Sequence, residues 1–282
     1  EFFITSEMAS IDIDYPEDFR MAEYIAELKN RNQKPPKEEF PEYVNQFLKL
    51  GSKVITFSRD KRKIDLSKKK FKKFNKNFYV EKGDILDENF LYNFSKKLIK
   101  KFKKIDILIH NVGGGGKWGS EDLTSVNAKL WDEVYKKNIN GIIFFNKFFL
   151  NLMKKKNWGR VITISSVSAT EFHEKDRAWF NAAKSSQLSI MKNLSKNKKY
   201  TNFNITFNTV SPGPVFIKNT YWHKIKKKNP KHFKNWINKN IPVNRFGNVE
   251  DVSNLVVFLA SHNASFINGA NFIIDGGKSN SL

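Results

Sequence analysis

The sequence predicts an α/β protein, a doubly wound sheet of about seven parallel strands with helices on both faces. Two observations predict it. Short β-branched and aromatic runs recur along the chain, and between them lie longer segments with apolar residues three and four apart. Strict alternation of the two demands crossover helices, and crossovers make neighbouring strands parallel.

The strand-like runs are FFIT, KVITFS, FYVEKGD, DILIHNV, RVITISS, ITFNTVSPG and NFIID. The helix-like segments between them are EYVNQFLKLG, ENFLYNFSKKLIKKF, AKLWDEVYKKNINGIIFFNKFFLNLMKK, NAAKSSQLSIMKNLSKN and EDVSNLVVFLAS. Between the first two strands, MAEYIAELKN reads as a helix that Pro35 and Pro36 interrupt, because proline cannot sit inside a continuous helix. Residues 29–41 are therefore expected to be an inserted loop, and residues 1–282 one domain.

Composition narrows the function classes. Forty per cent hydrophobic residues over 282 positions supply a sizeable core. The 50 Lys and Arg against 28 Asp and Glu give a net charge of +22, which admits nucleic acid, an anionic surface or an acidic substrate. The densest basic run, KRKIDLSKKKFKKFNKNF at 61–78, falls in one connecting segment, and the other lysines are scattered as on solvated helix faces. Nucleic acid is accordingly not the partner expected. Without cysteine there is no disulfide or thiolate metal site, and His110, His173, His223, His232 and His262 do not cluster with carboxylates, so no metal is expected. No apolar run reaches membrane-spanning length, which points to a soluble, cytoplasmic protein; a removed targeting peptide stays open because the first residue is Glu.

Six stretches are the most informative: HNVGGGG (110–116), KNINGIIFF (137–145), VITISSVSA (161–169), FNAAK (180–184), NTVSPGPV (208–215) and INGANFIIDGG (267–277), the last of which serves sheet closure and subunit packing rather than chemistry. HNVGGGG ends a strand where backbone passes close to a flat ring or sugar, which glycine permits. SPGPV closes another strand at the same carboxyl edge, where open α/β sheets hold ligands. In order and spacing these stretches resemble the short-chain dehydrogenase/reductase family, over nearly the whole chain. The resemblance implies a Rossmann-type sheet, NAD or NADP as cofactor, ketone/alcohol oxidoreduction on a small molecule, and a homo-oligomer, dimer or tetramer. A hetero-oligomer with an active relative is a further option.

The family's four catalytic positions fall on Asn138, Ser166, Phe180 and Lys184, with Ser165 as the second choice of serine. In relatives the third residue is tyrosine. Its phenol exchanges the substrate proton, the lysine ammonium lowers the phenol pKa from about 10, the serine orients the carbonyl, and the asparagine helps hold a water. Phenylalanine has no ionisable group. A positioned acid or base is worth about 10²–10⁴ in rate, roughly 3–5 kcal/mol of barrier, so ordinary hydride transfer is expected to be crippled.

The phosphate loop is altered as well. Relatives follow the first strand with Thr-Gly-x-x-x-Gly-Ile-Gly, but TSEMASID places Ser6, Ser10 and Asp12 on the three glycine sites. Side chains there crowd a pyrophosphate and the Asp12 carboxylate repels it; Ser10 or Asp12 also suits a helix N-cap. The remaining family cofactor positions are Arg59 with Arg62 nearby for an NADP 2′-phosphate, Asp84 and Ile85 for adenine, Asn111, Gly113 and Lys184 for ribose, and Pro212, Gly213 and Val215 for nicotinamide. Val215, Phe216 and Ile217 lack the hydroxyl that relatives offer the nicotinamide amide. Residues 214–245 correspond to the segment that closes over substrate. Its Phe216, Tyr221, Trp222 and Trp236, mixed with Lys218, Lys224 and Lys226, suit either a pocket for an apolar molecule with an acidic group or an amphipathic helix's core face. Tyr221, His173 or Glu174 could stand in for the phenol. Besides an impaired oxidoreductase, two alternatives remain: a non-redox lyase or isomerase using Ser166 and Lys184, and a non-catalytic subunit.

Overall fold

The computed structural model describes residues 2–5, 42–116, 118–120, 122–172, 177–217 and 220–280. Seven parallel strands form one sheet in the spatial order β3-β2-β1-β4-β5-β6-β7, where β1 is Phe2–Thr5, β2 Val54–Ser58, β3 Phe78–Lys82, β4 Ile107–His110, β5 Gly159–Ile164, β6 Ile205–Pro212 and β7 Asn271–Ile274. The order reverses between β1 and β4, which opens a crevice beyond the carboxyl ends of those two strands. The inserted loop 29–41 lies outside the described residues.

Helices cover both faces, and the strands are buried on both sides for that reason. Every residue of β2, β5 and β6 is buried. On one face α1 (Glu42–Lys49) and α9 (Val249–Leu259) set Phe47, Leu48, Val256 and Leu259 against Val54, Ile109, Ile162 and Val210. On the other, α3 (Glu88–Phe102), α4 (Ala128–Lys156) and α5 (Ala178–Lys196) set Phe94, Phe145, Phe149 and Met191 against Phe57, Leu108, Val161 and Phe207. Each such fully buried Phe or Leu contributes about 1.5–3 kcal/mol.

Side-chain caps fix the helix ends. Asp87 accepts from the Phe90 N–H at 3.0 Å and Asn127 from the Leu130 N–H at 2.9 Å, while Lys103 and Asn157 close α3 and α4 in the left-handed region. At α9, Asn248 and Asp251 form a reciprocal capping box.

The lysine run 61–78 is not a plain connection. It contains α2 (Lys61–Lys70), capped by Asp60. Ile64, Ser67 and Phe71, three and four residues apart, are its buried stripe, and the lysines occupy the solvated remainder. A short α6 (Lys198–Thr201) follows α5, and α7 (Tyr221–Lys228) and α8 (Pro230–Asn240) build the segment before α9. Among the described residues no helix is long and apolar enough to cross a membrane.

Candidate active site

Because all strands run parallel, the residues that follow β4, β5 and β6 gather on one edge of the sheet. His110 ends β4 and leads into Asn111–Gly116; Ile164 ends β5 and leads into Ser165 and Ser166; Pro212 ends β6 and leads into Gly213. Helices α4 and α5, packed side by side on one face, add Asn138, Phe180 and Lys184.

Phe180 is 2% exposed and packs with Val134, Trp179 and Ala183, beneath Trp118, Leu130 and Trp131. Lys184, one helical turn on, lies with its ammonium 5.6 Å from the Phe180 ring centre. That Nζ donates to the Ile164 carbonyl at 3.4 Å. A buried phenyl ring thus stands at position 180, where the sequence resemblance leads one to expect a phenol.

Asn138 is buried with both ends of its amide engaged. Its Oδ1 accepts from the Gly114 N–H at 3.3 Å, and its Nδ2 donates to the Gly114 carbonyl at 2.9 Å and the Val134 carbonyl at 2.8 Å. The side chain clamps the glycine segment to α4. Bare backbone is required there, since a Cβ on Gly113 would stand 2.6 Å from Asn138 Oδ1 and 3.0 Å from Lys184 Nζ.

The two serines differ in what they do. The Ser165 hydroxyl donates to the Lys184 carbonyl at 3.2 Å, tying β5 to α5. Ser166 Oγ accepts from the Ser168 N–H at 3.1 Å as the cap of a short 3₁₀ turn, which leaves its hydroxyl proton free to be donated.

At the other end of the crevice Arg59 and Asp84 form an ion pair at 3.9 Å, with the arginine side chain 51% exposed. Asp84 also accepts from the Leu86 N–H at 3.0 Å, and Ile85 is buried against Gly141. Asn111 is half-buried at the same edge. Gly213 is pinned by its N–H to the Ile274 carbonyl at 2.9 Å, and Val215 is buried in a bridge to Gly247. Ser6, Ser10 and Asp12 lie outside the described residues, as do His173 and Glu174.

Motif spacing does not announce Gln187. It is fully buried on α5, three residues past Lys184, and its Nε2 donates to the Asn138 carbonyl at 2.9 Å. A glutamine on the buried stripe between Ala183 and Met191 is the sequence signal that marks it. The aromatic residues of 214–245 also differ from a pocket lining. Trp222 is 1% exposed, 4.4 Å from Trp236 and 5.3 Å from Phe246, so the segment folds round a small core of its own. Tyr221 packs on Trp222 at 5.3 Å as part of it.

Residues 42–279 match the family model described as enoyl-(acyl carrier protein) reductase. The chain belongs to the short-chain dehydrogenase/reductase family. Among curated relatives of this short-chain dehydrogenase/reductase, the 3-oxoacyl-[acyl-carrier-protein] reductase FabG of Buchnera aphidicola subsp. Schizaphis graminum is 31% identical over 230 residues, 82% of this chain and 89% of that protein. Among solved structures, YwfH, an NADPH-dependent reductase involved in bacilysin biosynthesis, aligns with a TM-score of 0.74 at 23% identity, over 85% of this chain and 93% of its own. A tyrosine-to-phenylalanine variant of ElxO with NADPH bound aligns with a TM-score of 0.73 at 25% identity, over 84% and 92%. Among the described residues no group of His, Asp and Glu is placed to hold a metal.

Proposed function

We propose that this short-chain dehydrogenase/reductase takes NAD or NADP as its cofactor but carries out ordinary carbonyl reduction poorly, because the proton-donating half of the site is missing. The buried Phe180 ring beside the Lys184 ammonium carries this reading.

The residues at the ribose end fit the cofactor. Gly113 keeps bare backbone between Asn138 and Lys184, and Lys184 presents an ammonium at the edge of the crevice. When bound, the reduced dinucleotide supplies a hydride. The ElxO variant holds NADPH with a tyrosine replaced by phenylalanine, so a phenol lost from this fold is compatible with a bound dinucleotide. In our reading Ser166 donates its hydroxyl proton to the substrate carbonyl as a hydrogen bond, and Asn138 holds the glycine segment in register with α4. No side chain at position 180 can complete the reduction by giving up a proton, which removes about 10²–10⁴ in rate. Ser6, Ser10 and Asp12 weaken the dinucleotide's hold at the phosphate end. The reading includes a homo-oligomer, supported by the exposed Tyr135 and Ile143 on α4.

The test uses four proteins and one reaction, the NADPH-dependent reduction of a short 3-oxoacyl thioester: wild type, Phe180→Tyr, the triple variant Ser6→Gly/Ser10→Gly/Asp12→Gly, and all four changes together. NADPH binding is followed by its fluorescence. We expect near-background turnover in the wild type, less than about tenfold gain from Phe180→Tyr alone, tighter NADPH binding in the triple variant, and about 10²–10⁴ more turnover from the combination. Wild-type turnover equal to that of the combined variant overturns the proposal.

A further inference from the structure

We propose that the amino edge of the sheet, opposite the crevice, is a docking face for an anionic phospholipid surface, on which the protein lies without crossing it. Nothing in this rests on the cofactor reading.

In a parallel sheet each crossover helix runs back to the amino edge before the next strand begins. The last turn of every such helix, and the connection that follows it, therefore lie at that edge. Four of these places are rich in lysine: KKKFKKFNKN (68–77) leads into β3, KKFKK (100–104) into β4, KKK (154–156) into β5 and KNKK (196–199) into β6. Together they hold 16 lysines, no arginine and no carboxylate. All of these lysines are exposed except Lys104 and Lys154, which are half-buried. Residues that look scattered along the chain are thus gathered on one side of the molecule by its topology.

Acidic residues collect at the opposite end. Asp60 and Asp87 cap the starts of α2 and α3, Asp251 belongs to the capping box of α9, and Asp275 follows β7. In the described connections that lead into the strands, Asp106 is the one carboxylate, and it is paired with Lys104 at 3.6 Å. A helix dipole favours cations in the last turn, but Lys72, Lys73, Lys76 and Lys104 lie beyond their α-helices, so the charge exceeds what the helix ends call for.

Breadth, residue type and exposed apolar side chains point to the partner. Strands β3 and β6 are five places apart in the sheet, or roughly 24 Å, so the charge spreads over a broad face. Lysine acts as a point charge, whereas the paired contacts that hold nucleic-acid phosphates and bases come mainly from arginine. An all-lysine face suits a layer of phosphate headgroups better. Leu50, 68% exposed, and Phe266, 101% exposed, stand in the connections into β2 and β7 at the same edge. Such side chains enter the headgroup boundary of a bilayer while nearby lysines meet its anionic lipids. Docked in this way, the protein turns the crevice toward water.

Co-sedimentation of the full chain with vesicles tests the face, using phosphatidylcholine alone or mixed with phosphatidylserine. Binding is expected only with phosphatidylserine present. The variant Lys69→Gln/Lys72→Gln/Lys100→Gln/Lys155→Gln should bind at least about tenfold more weakly, since each lysine near an anionic surface is worth about fivefold in affinity. Lys227→Gln/Lys228→Gln/Lys231→Gln/Lys234→Gln removes the same charge from α7 and α8 and should bind as the wild type does. Phe266→Ser should weaken binding with every charge intact. All of these side chains are exposed, and circular dichroism checks that each variant is folded. Absence of binding to phosphatidylserine, equal loss in the two lysine variants, or unchanged binding by Phe266→Ser each overturns the proposal. So does tighter binding to single-stranded RNA than to vesicles at equal phosphate concentration, which would assign the face to nucleic acid.

Discussion

The Lys184 ammonium lies 5.6 Å from the centre of the Phe180 ring, and both side chains are buried between α4 and α5. A cation facing an aromatic ring is worth about 0.5–1 kcal/mol at exposed sites and more when desolvated. The pair thus sets a buried ammonium beside a ring that carries no titratable proton.

Restoring the phenol should show what that charge does. In Phe180→Tyr two effects oppose each other, since burial raises a phenol's pKa and an adjacent ammonium lowers it. Tyr43, buried with no cation among the causes of its shift, is the internal reference, and burial pushes its pKa well up. The new tyrosine is expected to ionise below about 10 and well before Tyr43, seen as one added step in a tyrosinate absorbance titration. Adding Lys184→Met should push that step upward. A step that stays put on losing the lysine would show that the ammonium does not act on the ring position.

Gly113→Ala should damage the site without touching a polar residue. The added methyl would meet Asn138 Oδ1 at 2.6 Å and Lys184 Nζ at 3.0 Å. The lysine end can swing away, but Asn138 is held by bonds to Gly114 and Val134. Breaking them leaves buried amide atoms unpaired, at about 1–3 kcal/mol. Urea denaturation should show that loss, together with weaker NADPH binding; unchanged stability would mean the clamp is slack.

The strands were legible because seven β-branched runs have no other use, and the placement of Asn138, Phe180 and Lys184 on helices and of Ser166 just past β5 was legible from spacing. What the chain did not reveal depends on partners distant in sequence. Gln187 reads as one more polar residue on α5 until α4 brings the Asn138 carbonyl to it from 49 positions away. Helix α2 was hidden by its own charge, with lysines masking the stripe of Ile64, Ser67 and Phe71. Trp222 and Trp236 could serve a pocket or a core equally well by type, and only their mutual packing decides for the core.

His110 should make stability fall with acid sooner than the carboxylates do. Burial pushes its pKa down to about 3, with the neighbouring Asn146 amide opposing in part. The unfolded chain binds the proton near pH 6.5 and the folded chain does not, so unfolding takes up a proton through this window. The contribution is intact above about pH 6.5 and is lost as pH drops toward 3, at up to about 1.4 kcal/mol per unit. Asp60, Asp122, Asp251 and Asp275 sit below the usual carboxylate range and add their own losses only at lower pH. Denaturation of wild type and His110→Leu between about pH 6.5 and 4.5 should therefore diverge steadily; parallel curves would mean the imidazole is protonated in the fold.

The segment between β6 and α9 should unfold as a unit separate from the sheet. Its core of Trp222, Ile237, Ile241 and Phe246 shares no buried residue with either face of the sheet. At its base, the Val215–Gly247 bridge, the Arg245–Asp251 ion pair, with contacts of 2.6 and 3.0 Å, and the Val243 N–H donating to the Gly276 carbonyl at 3.2 Å join it to the rest of the chain. Segments with their own apolar cluster and few ties elsewhere open on their own before the whole domain does. Trp222→Ala removes the ring at the centre of that cluster, a change that costs about 3–5 kcal/mol when the site cannot collapse. Confined to the segment alone, this predicts amide exchange about 10²–10⁴ faster in α7 and α8, with β4, β5 and β6 as protected as before. Exchange that quickens equally in those strands would show the segment to be part of the global unit.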